Sequence, residues 1–451
     1  MGKLELFLET LSGLLWGKWM LVLLLGTGLF YTVITGGIQL RAIPRIFREV
    51  IGKGRKQSVK KHGTENADKN GLTSLQALYT AIASCVGSGN IVGVATALIS
   101  GGPGALMWMW IAAFFGMATK YGEIVLGIIS REKDGKGGYI GGPMYYIARA
   151  FKSPLLGCVA AFLLFCQNAG GTLIQSNTIT SAAASAFHIP ALVTAVVLAV
   201  TMSLIIKGGL KRLAEVAQKI VPFMAGFYVL GGFLVVLSNV EMLVPTMKLI
   251  VTQAFSWQAG AGAAMGLTMK QAMRYGVARG LYSNEAGEGS AAVIHSSAEV
   301  NHPSKQGIYG IVEVFVDTMI ICSTTGFSIL VSGVSLEGAT AAALPAAAFA
   351  TVFPRFHYLV SISLILFAAT SLMSQWYFGH VSLLYLKSPK GAAIYRVLFP
   401  ILILLGGLST VDLVWYIQDC MLGLLIIPNV AALLIMSPQV RKSTAEFFAG
   451  R

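Results

Sequence analysis

Charge is scarce in this chain, 12% of its 451 residues against 55% hydrophobic, and the apolar residues gather in repeated runs of about 20, each long enough to cross a bilayer. An all-α polytopic membrane protein follows. Cysteine is sparse as well. Cys85, Cys158, Cys166, Cys322 and Cys420 all lie in apolar segments without metal-site spacing, so they read as small packing residues and imply no disulfide framework. Reactive constellations are missing: there is no His/Cys metal pattern, no phosphate-binding glycine loop with a lysine and no nucleophile elbow. An enzyme is therefore disfavoured, no cofactor is expected, and any work the chain does would draw on an ion gradient rather than on bound ATP. The net charge of +14 does not point to nucleic acid, because Lys and Arg cluster in the short loops between apolar runs.

The run 14–38 exceeds a signal-peptide core and lacks a clear cleavage site, so it reads as a retained helix. Arg41, Arg45, Arg48, Lys53, Arg55, Lys56, Lys60 and Lys61 make the next loop cytoplasmic, which leaves the N-terminus outside. Ten further runs cover 74–100, 104–130, 153–187, 191–206, 214–238, 259–297, 307–333, 357–386, 392–408 and 413–436, about eleven crossings in all. Arg131 and Lys133, Lys211 and Arg212, Lys305, Lys387 and Lys390, and Arg441 and Lys442 then all fall on the cytoplasmic side, with the C-terminus inside. The ten crossings divide into 74–238 and 259–436. Five is odd, so the second set enters from the opposite face, an inverted-topology repeat within one transmembrane domain over 1–451. The alanine-rich connection 332–354 reads as a short helical lid on the outer face or, equally, as a packed loop.

Such repeats place a site near the bilayer midplane, on helices interrupted at corresponding places in the two halves. The stretch Ala83-Ser84-Cys85-Val86-Gly87-Ser88-Gly89-Asn90-Ile91-Val92-Gly93, set inside an apolar run, predicts the first interruption, since backbone groups freed by glycine cannot stay unpaired in lipid. Tyr275-Gly276-Val277-Ala278-Arg279-Gly280-Leu281, followed by Asn284-Glu285-Ala286-Gly287-Glu288-Gly289, predicts the second. The alternative for both is close helix packing through small residues. Amides of Gly87 and Gly89 near a half-helix N-terminus suit a carboxylate, and carbonyls ending the other half-helix suit a cation. A zwitterion of amino-acid size meets both demands, and a sodium ion could share the carbonyls.

Hard cations prefer oxygen ligands. Thr370-Ser371, about 20 Å into its crossing, presents adjacent hydroxyls near the midplane; the alternative is a bond to the carbonyl one turn back. Asn90, Gln175 and Asn177 are further oxygen donors. Glu123, Glu313 and Asp317 are the ionisable residues deepest in apolar runs, and Asp317, about 15 Å into its run, could ligate a cation or carry a proton. Lys120 and Glu123 at i, i+3 read as an internal ion pair. Arg274, Arg279, Glu285 and Glu288 flank the second interruption, as a gate network toward the cytoplasm or as the lining of an aqueous vestibule.

Six stretches carry a resemblance: Val86-Gly87-Ser88-Gly89-Asn90-Ile91-Val92-Gly93-Val94-Ala95, Gly101-Gly102-Pro103-Gly104, Met117-Ala118-Thr119-Lys120-Tyr121-Gly122-Glu123, Gly141-Gly142-Pro143-Met144-Tyr145-Tyr146, Arg274-Tyr275-Gly276-Val277-Ala278-Arg279-Gly280 and Ser283-Asn284-Glu285-Ala286-Gly287. Together they resemble the alanine or glycine:cation symporters, the sodium:alanine symporter family of the amino acid-polyamine-organocation superfamily. The resemblance implies an extra N-terminal helix before a leucine-transporter-like core of 5+5 crossings, in the cell membrane of a prokaryote. It implies sodium-coupled import of small neutral amino acids, alanine or glycine, by alternating access. It also implies one sodium held by the carbonyls of Ala83 and Val86 with the hydroxyls of Thr370 and Ser371. The solute would contact Cys85, Gly87, Ser88, Gly89, Gln175, Val277, Ala278, Gly280, Leu281 and the 375 position. This chain departs from the family pattern there: Cys85 replaces a threonine, Ser374-Gln375 replaces Gly-Trp, Glu288 an aliphatic residue, Glu313 a small one and His380 a glutamate. A polar Gln375 would favour a more polar solute such as serine or glutamine. The rival readings are proton coupling through Asp317 and, in another class, an ion channel.

Overall fold

Backbone groups inside lipid find no water, so an apolar run closes its hydrogen bonds within itself as a helix. The computed structural model describes residues 3–46, 71–135, 137–255, 269–409 and 412–450, and nearly all of its regular structure is helical. The first half of the chain forms α1 (Lys3–Leu15), α2 (Lys18–Ile34), α3 (Ser74–Cys85), α4 (Val92–Gly101), α5 (Gly104–Ser130), α6 (Pro143–Ala150), α7 (Pro154–Phe187), α8 (Ala191–Ile206) and α9 (Gly209–Ser238). The second forms α10 (Leu243–Ala254), α11 (Met269–Asn284), α12 (Ser290–His295), α13 (Pro303–Val314), α14 (Ser323–Val331), α15 (Leu344–Ala350), α16 (His357–Tyr385), α17 (Pro389–Leu408) and α18 (Asp412–Ala449). A π-helical segment, Phe315–Cys322, joins α13 to α14. Two short antiparallel strands, β1 (Glu132–Lys133) and β2 (Tyr139–Ile140), pair with Lys133 opposite Tyr139.

Among the described residues, seven helices are long and apolar enough to cross a membrane, and nine if the bent pairs α1–α2 and α3–α4 each count once. The other two of the eleven expected crossings fall on α8, apolar but only 16 residues long, and on α11–α12, whose run 259–297 begins outside the described residues. The expected 14–38 helix is instead α1 and α2, which meet at an angle of 40°.

Much of the basic loop 41–69 lies outside the described residues, but what flanks it shares one end of the bundle. Arg45 donates to the Phe447 carbonyl at 3.1 Å, the Ser304 and Ser443 hydroxyls bond at 2.8 Å, and Arg131 reaches the carbonyls of Ser296 and Ala298 at 3.1 and 2.6 Å. Connections read as cytoplasmic are thus tied to one another. At the other end, the connection 332–354 folds as a helix, α15, seated by a fully buried Phe349 that stacks on Tyr228 with ring centroids 5.5 Å apart.

The first interruption falls where expected, with α3 and α4 meeting at 63° across the glycines. The second does not. α11 runs unbroken through Tyr275–Leu281, and a Cβ added at Gly276 would lie 2.3 Å from the Ala105 carbonyl oxygen of α5. Those glycines let two helices approach closely; they do not break one. The chain breaks a few residues later, at 285–289, where Glu285, Gly287 and Gly289 take φ of 55°, 99° and 81°.

Candidate functional site

The first break begins where α3 runs out of amide donors. Val86 gives the last helical bond, to Ile82 at 2.9 Å. The Gly87 amide, which a continuing helix would give to Ala83, goes instead to Asn90 Oδ1 at 2.9 Å. Carbonyls from Ala83 onward are therefore left for other partners. Ser371 of α16 comes to them: its hydroxyl lies 3.0 Å from the Ser84 carbonyl, 3.3 Å from Val86 and 3.2 Å from Phe367. A hydroxyl has one proton to give, so at the broken end of α3 the Ser84 and Val86 carbonyls share a single hydrogen, while the Phe367 carbonyl also accepts from Thr370. Thr370 is placed differently, with its hydroxyl bonded to the Phe367 carbonyl at 2.9 Å and 3.6 Å from the Met224 sulfur. The carboxylate role expected of the Gly87 amide is already filled by Asn90.

Behind the break, Asn90 gives its side-chain N–H to Asp317 Oδ1 at 2.5 Å. The other Asp317 oxygen accepts from Ser283 at 2.9 Å and Thr318 at 2.8 Å. Asp317 is fully buried and sits in the π-helical segment. This group joins elements from both halves: α11 through Ser283, the 88–90 turn through Asn90 and the π segment through Asp317.

The second break is clamped by α5. Glu123 Oε1 accepts from the amides of Gly287 and Gly289 at 3.1 and 2.9 Å and from Asn429 of α18 at 2.8 Å. Tyr146 in turn donates to Asn429 Oδ1. Lys120, three residues earlier, does not pair with Glu123 as the spacing suggested. Its ammonium donates to the Asn284 carbonyl at 2.6 Å and pairs with Glu313 at 2.8 Å, while the second Glu313 oxygen meets His295 at 3.1 Å. Each end of the break thus meets the opposite charge, carboxylate on amides and ammonium on carbonyl.

Between the two breaks lies a cavity of about 40 Å³, room for about three water molecules. Of the residues expected to contact a solute, Cys85, Gly87, Gly89, Gln175 and Gln375 line it. Ser84, Tyr282, Ser283, Glu285, Glu288 and the amides Gln167, Asn168 and Gln418 complete it. Val277, Gly280 and Leu281 do not reach it: Val277 and Leu281 pack with Leu21 and Leu24 of α2, and Gly280 abuts Met109 of α5. Ala278 lines a different cavity. Asn177 points away and donates to the Ser409 carbonyl at 2.9 Å, and His380 stacks on Trp376 at 5.1 Å.

Two larger cavities, about 220 and 160 Å³, lie on the other side of Tyr282, and all three share that side chain. Ser88 and Thr96 line the first of these, with Trp415. Ser12, Arg274, Arg279 and Asp419 line the second. Arg274 and Arg279 therefore stand at the end that carries α1, opposite the basic loops, where they line a cavity.

A broken-helix bundle with a polar cavity between its breaks is matched over residues 1–451 by the sodium:alanine symporter family. The chain belongs to this family. The family comprises transporters, so this symporter-family protein is no enzyme, and it is a multi-pass membrane protein. Similar proteins include the sodium/alanine symporter AgcS of Methanococcus maripaludis, 38% identical over 97% of this chain and 96% of that one. The probable sodium/glutamine symporter GlnT of Bacillus subtilis is 34% identical over 97% of this chain and 89% of its own length. Among solved structures, a manganese transporter of Eremococcus coleocola aligns with TM-score 0.52 and 11% identity over 79% of this chain and 78% of that one, a likeness of fold alone. Residues that the sequence reading of this family member passed over, Tyr282, Ser283, Gln167 and Gln418, carried one signal: each is polar within or beside an apolar run.

Proposed function

We propose that the protein is a sodium-coupled symporter that imports small amino acids by alternating access in a prokaryotic plasma membrane, with its N-terminus outside. The halves 74–238 and 259–436 would form the inverted repeat that surrounds the cavity. One observation carries the reading: at the first break the carbonyls of Ser84 and Val86, at the broken end of α3, converge on the Ser371 hydroxyl with one proton to share, an oxygen cluster that a small hard cation satisfies. Sodium there pins α3 against α16 and so favours the arrangement that shapes the cavity for solute; that differential affinity is the coupling. The solute's carboxylate faces the first amides of the 88–90 turn, since the Gly87 amide is taken. Relatives named for alanine and for glutamine support an amino acid as solute.

Uptake of labelled alanine, glycine, serine and glutamine into proteoliposomes tests this, with and without an inward sodium gradient. Uptake is expected only with the gradient, and Thr370→Ala with Ser371→Ala should raise the sodium concentration it needs by about tenfold. Normal sodium dependence in that double variant would refute the site. A second reading, proton coupling, is favoured by the buried Asp317 carboxyl between the breaks. Uptake in sodium-free buffer driven by a pH gradient, and lost in Asp317→Asn, would replace sodium with a proton.

A further inference from the structure

Resting on that symporter reading, the lining of the cavity says more about the solute. Two carboxylates, Glu285 and Glu288, face the space, and no basic side chain among the described residues lines it. Glu285 is supported by the hydroxyls of Ser290 at 2.5 Å and Ser84 at 3.3 Å. Glu288, 3% exposed, has a neutral amide beside it, Gln167 at 3.3 Å. Lys120 of α5 acts on both carboxylates through space, but its direct contacts go to Glu313 and the Asn284 carbonyl. Hydrogen-bond acceptors are also in surplus: Gln175 Oε1 and Gln418 Oε1, on residues 8% and 5% exposed, and Gln375 Oε1 have no partner.

Charge balance turns this into a statement about substrate. A zwitterionic amino acid brings no net charge and one sodium brings a single positive charge, whereas the cavity presents two carboxylates. Buried charge without a counter-charge is costly. We propose that the solute carries a second amine on a short side chain, an amino acid of the diamino class, and that Glu288 is the residue that selects it. The α-amino and α-carboxyl groups are then held at the first break, and the side-chain ammonium lies between Glu288 and the unpartnered amide oxygens.

The test uses the full chain in proteoliposomes under a sodium gradient. Unlabelled 2,3-diaminopropionate, 2,4-diaminobutyrate, lysine and serine compete against labelled alanine, and uptake of labelled 2,4-diaminobutyrate is measured directly. Wild type should be inhibited by the two short diamino acids at concentrations about tenfold or more below unlabelled alanine, the coupling that close charge pairs reach where they are net favourable. Lysine should be weaker than either. In Glu288→Leu the order should reverse in favour of alanine, and Glu288→Gln, closer in shape, should lose the diamino preference even if the leucine variant fails to fold. Sodium-dependent uptake that prefers alanine or serine over both diamino acids in wild type overturns the inference and leaves sodium-coupled symport standing, with a proton on Glu288 as the missing charge. Absence of sodium-dependent uptake for every amino acid tried overturns the symporter reading itself.

Discussion

Ser371 and Thr370 are neighbours in sequence, yet the fold separates their chemistry. One hydroxyl reaches the carbonyls of the broken α3 and the other bonds within its own helix. Ser371→Ala should therefore raise the sodium concentration for half-maximal uptake by about tenfold, the loss of one hydrogen-bond-strength contact to a charged group; Thr370→Ala should raise it far less. Sodium titrations of uptake check both. Gly87 is equally exacting, because an added Cβ would lie 2.7 Å from the Ser371 hydroxyl and 3.1 Å from Gln175 Nε2. Gly87→Ala should abolish solute-induced thermal stabilisation while leaving the unliganded protein monodisperse in detergent. At this scale much was legible beforehand: Asn90, Gln175, Ser371 and Asp317 stand out because polar groups in apolar runs must have a partner. Their partners were not legible. Lys120 and Glu123 share a helix face at i, i+3, but each finds a stronger partner on another element.

The second broken helix shows why glycine spacing underdetermines a break. Gly276 and Gly280 resemble a hinge in the sequence and serve as a groove for α5, whereas the break proper is set by Glu285, Gly287 and Gly289 at positive φ. Non-glycine residues at positive φ are costly, and Glu123 on α5 holds this turn by two amides. Glu123→Ala should loosen it, lowering the unfolding midpoint in detergent and slowing uptake together. The Lys120–Glu313 pair, 0% and 1% exposed, joins α5 to α13. Lys120→Met takes the ammonium from a buried carboxylate that keeps His295 beside it and should cost about 3–5 kcal/mol, much of which the double variant with Glu313→Leu should recover. Unfolding measured across the four proteins of that cycle separates pairing from simple loss of packing.

For the whole molecule, the cavities establish a direction. Space lies on the α1 side of Tyr282, while the other end is held by Arg131, Arg45 and the Ser304–Ser443 contact. Thr96→Cys, on the wall of the larger cavity, should react with a membrane-impermeant maleimide added on the face opposite the basic loops, whereas Ser297→Cys, beside Tyr377 at the tied end, should stay protected. Labelling of both from one face would mean that the ends are assigned wrongly. Alternating access adds that sodium and solute together should slow the reaction at Thr96→Cys.

The sequence by itself determined that this is a bundle of membrane helices, which family it belongs to, and where the helix over 74–101 breaks. Apolar length, loop charge and a glycine-rich run inside lipid leave the backbone few alternatives. Only the tertiary structure decided which glycines break a helix and which pack one, which carboxylate meets which cation, and which side chains reach the cavity. Those are outcomes of competition between partners far apart in the chain, and local spacing carries no information about them.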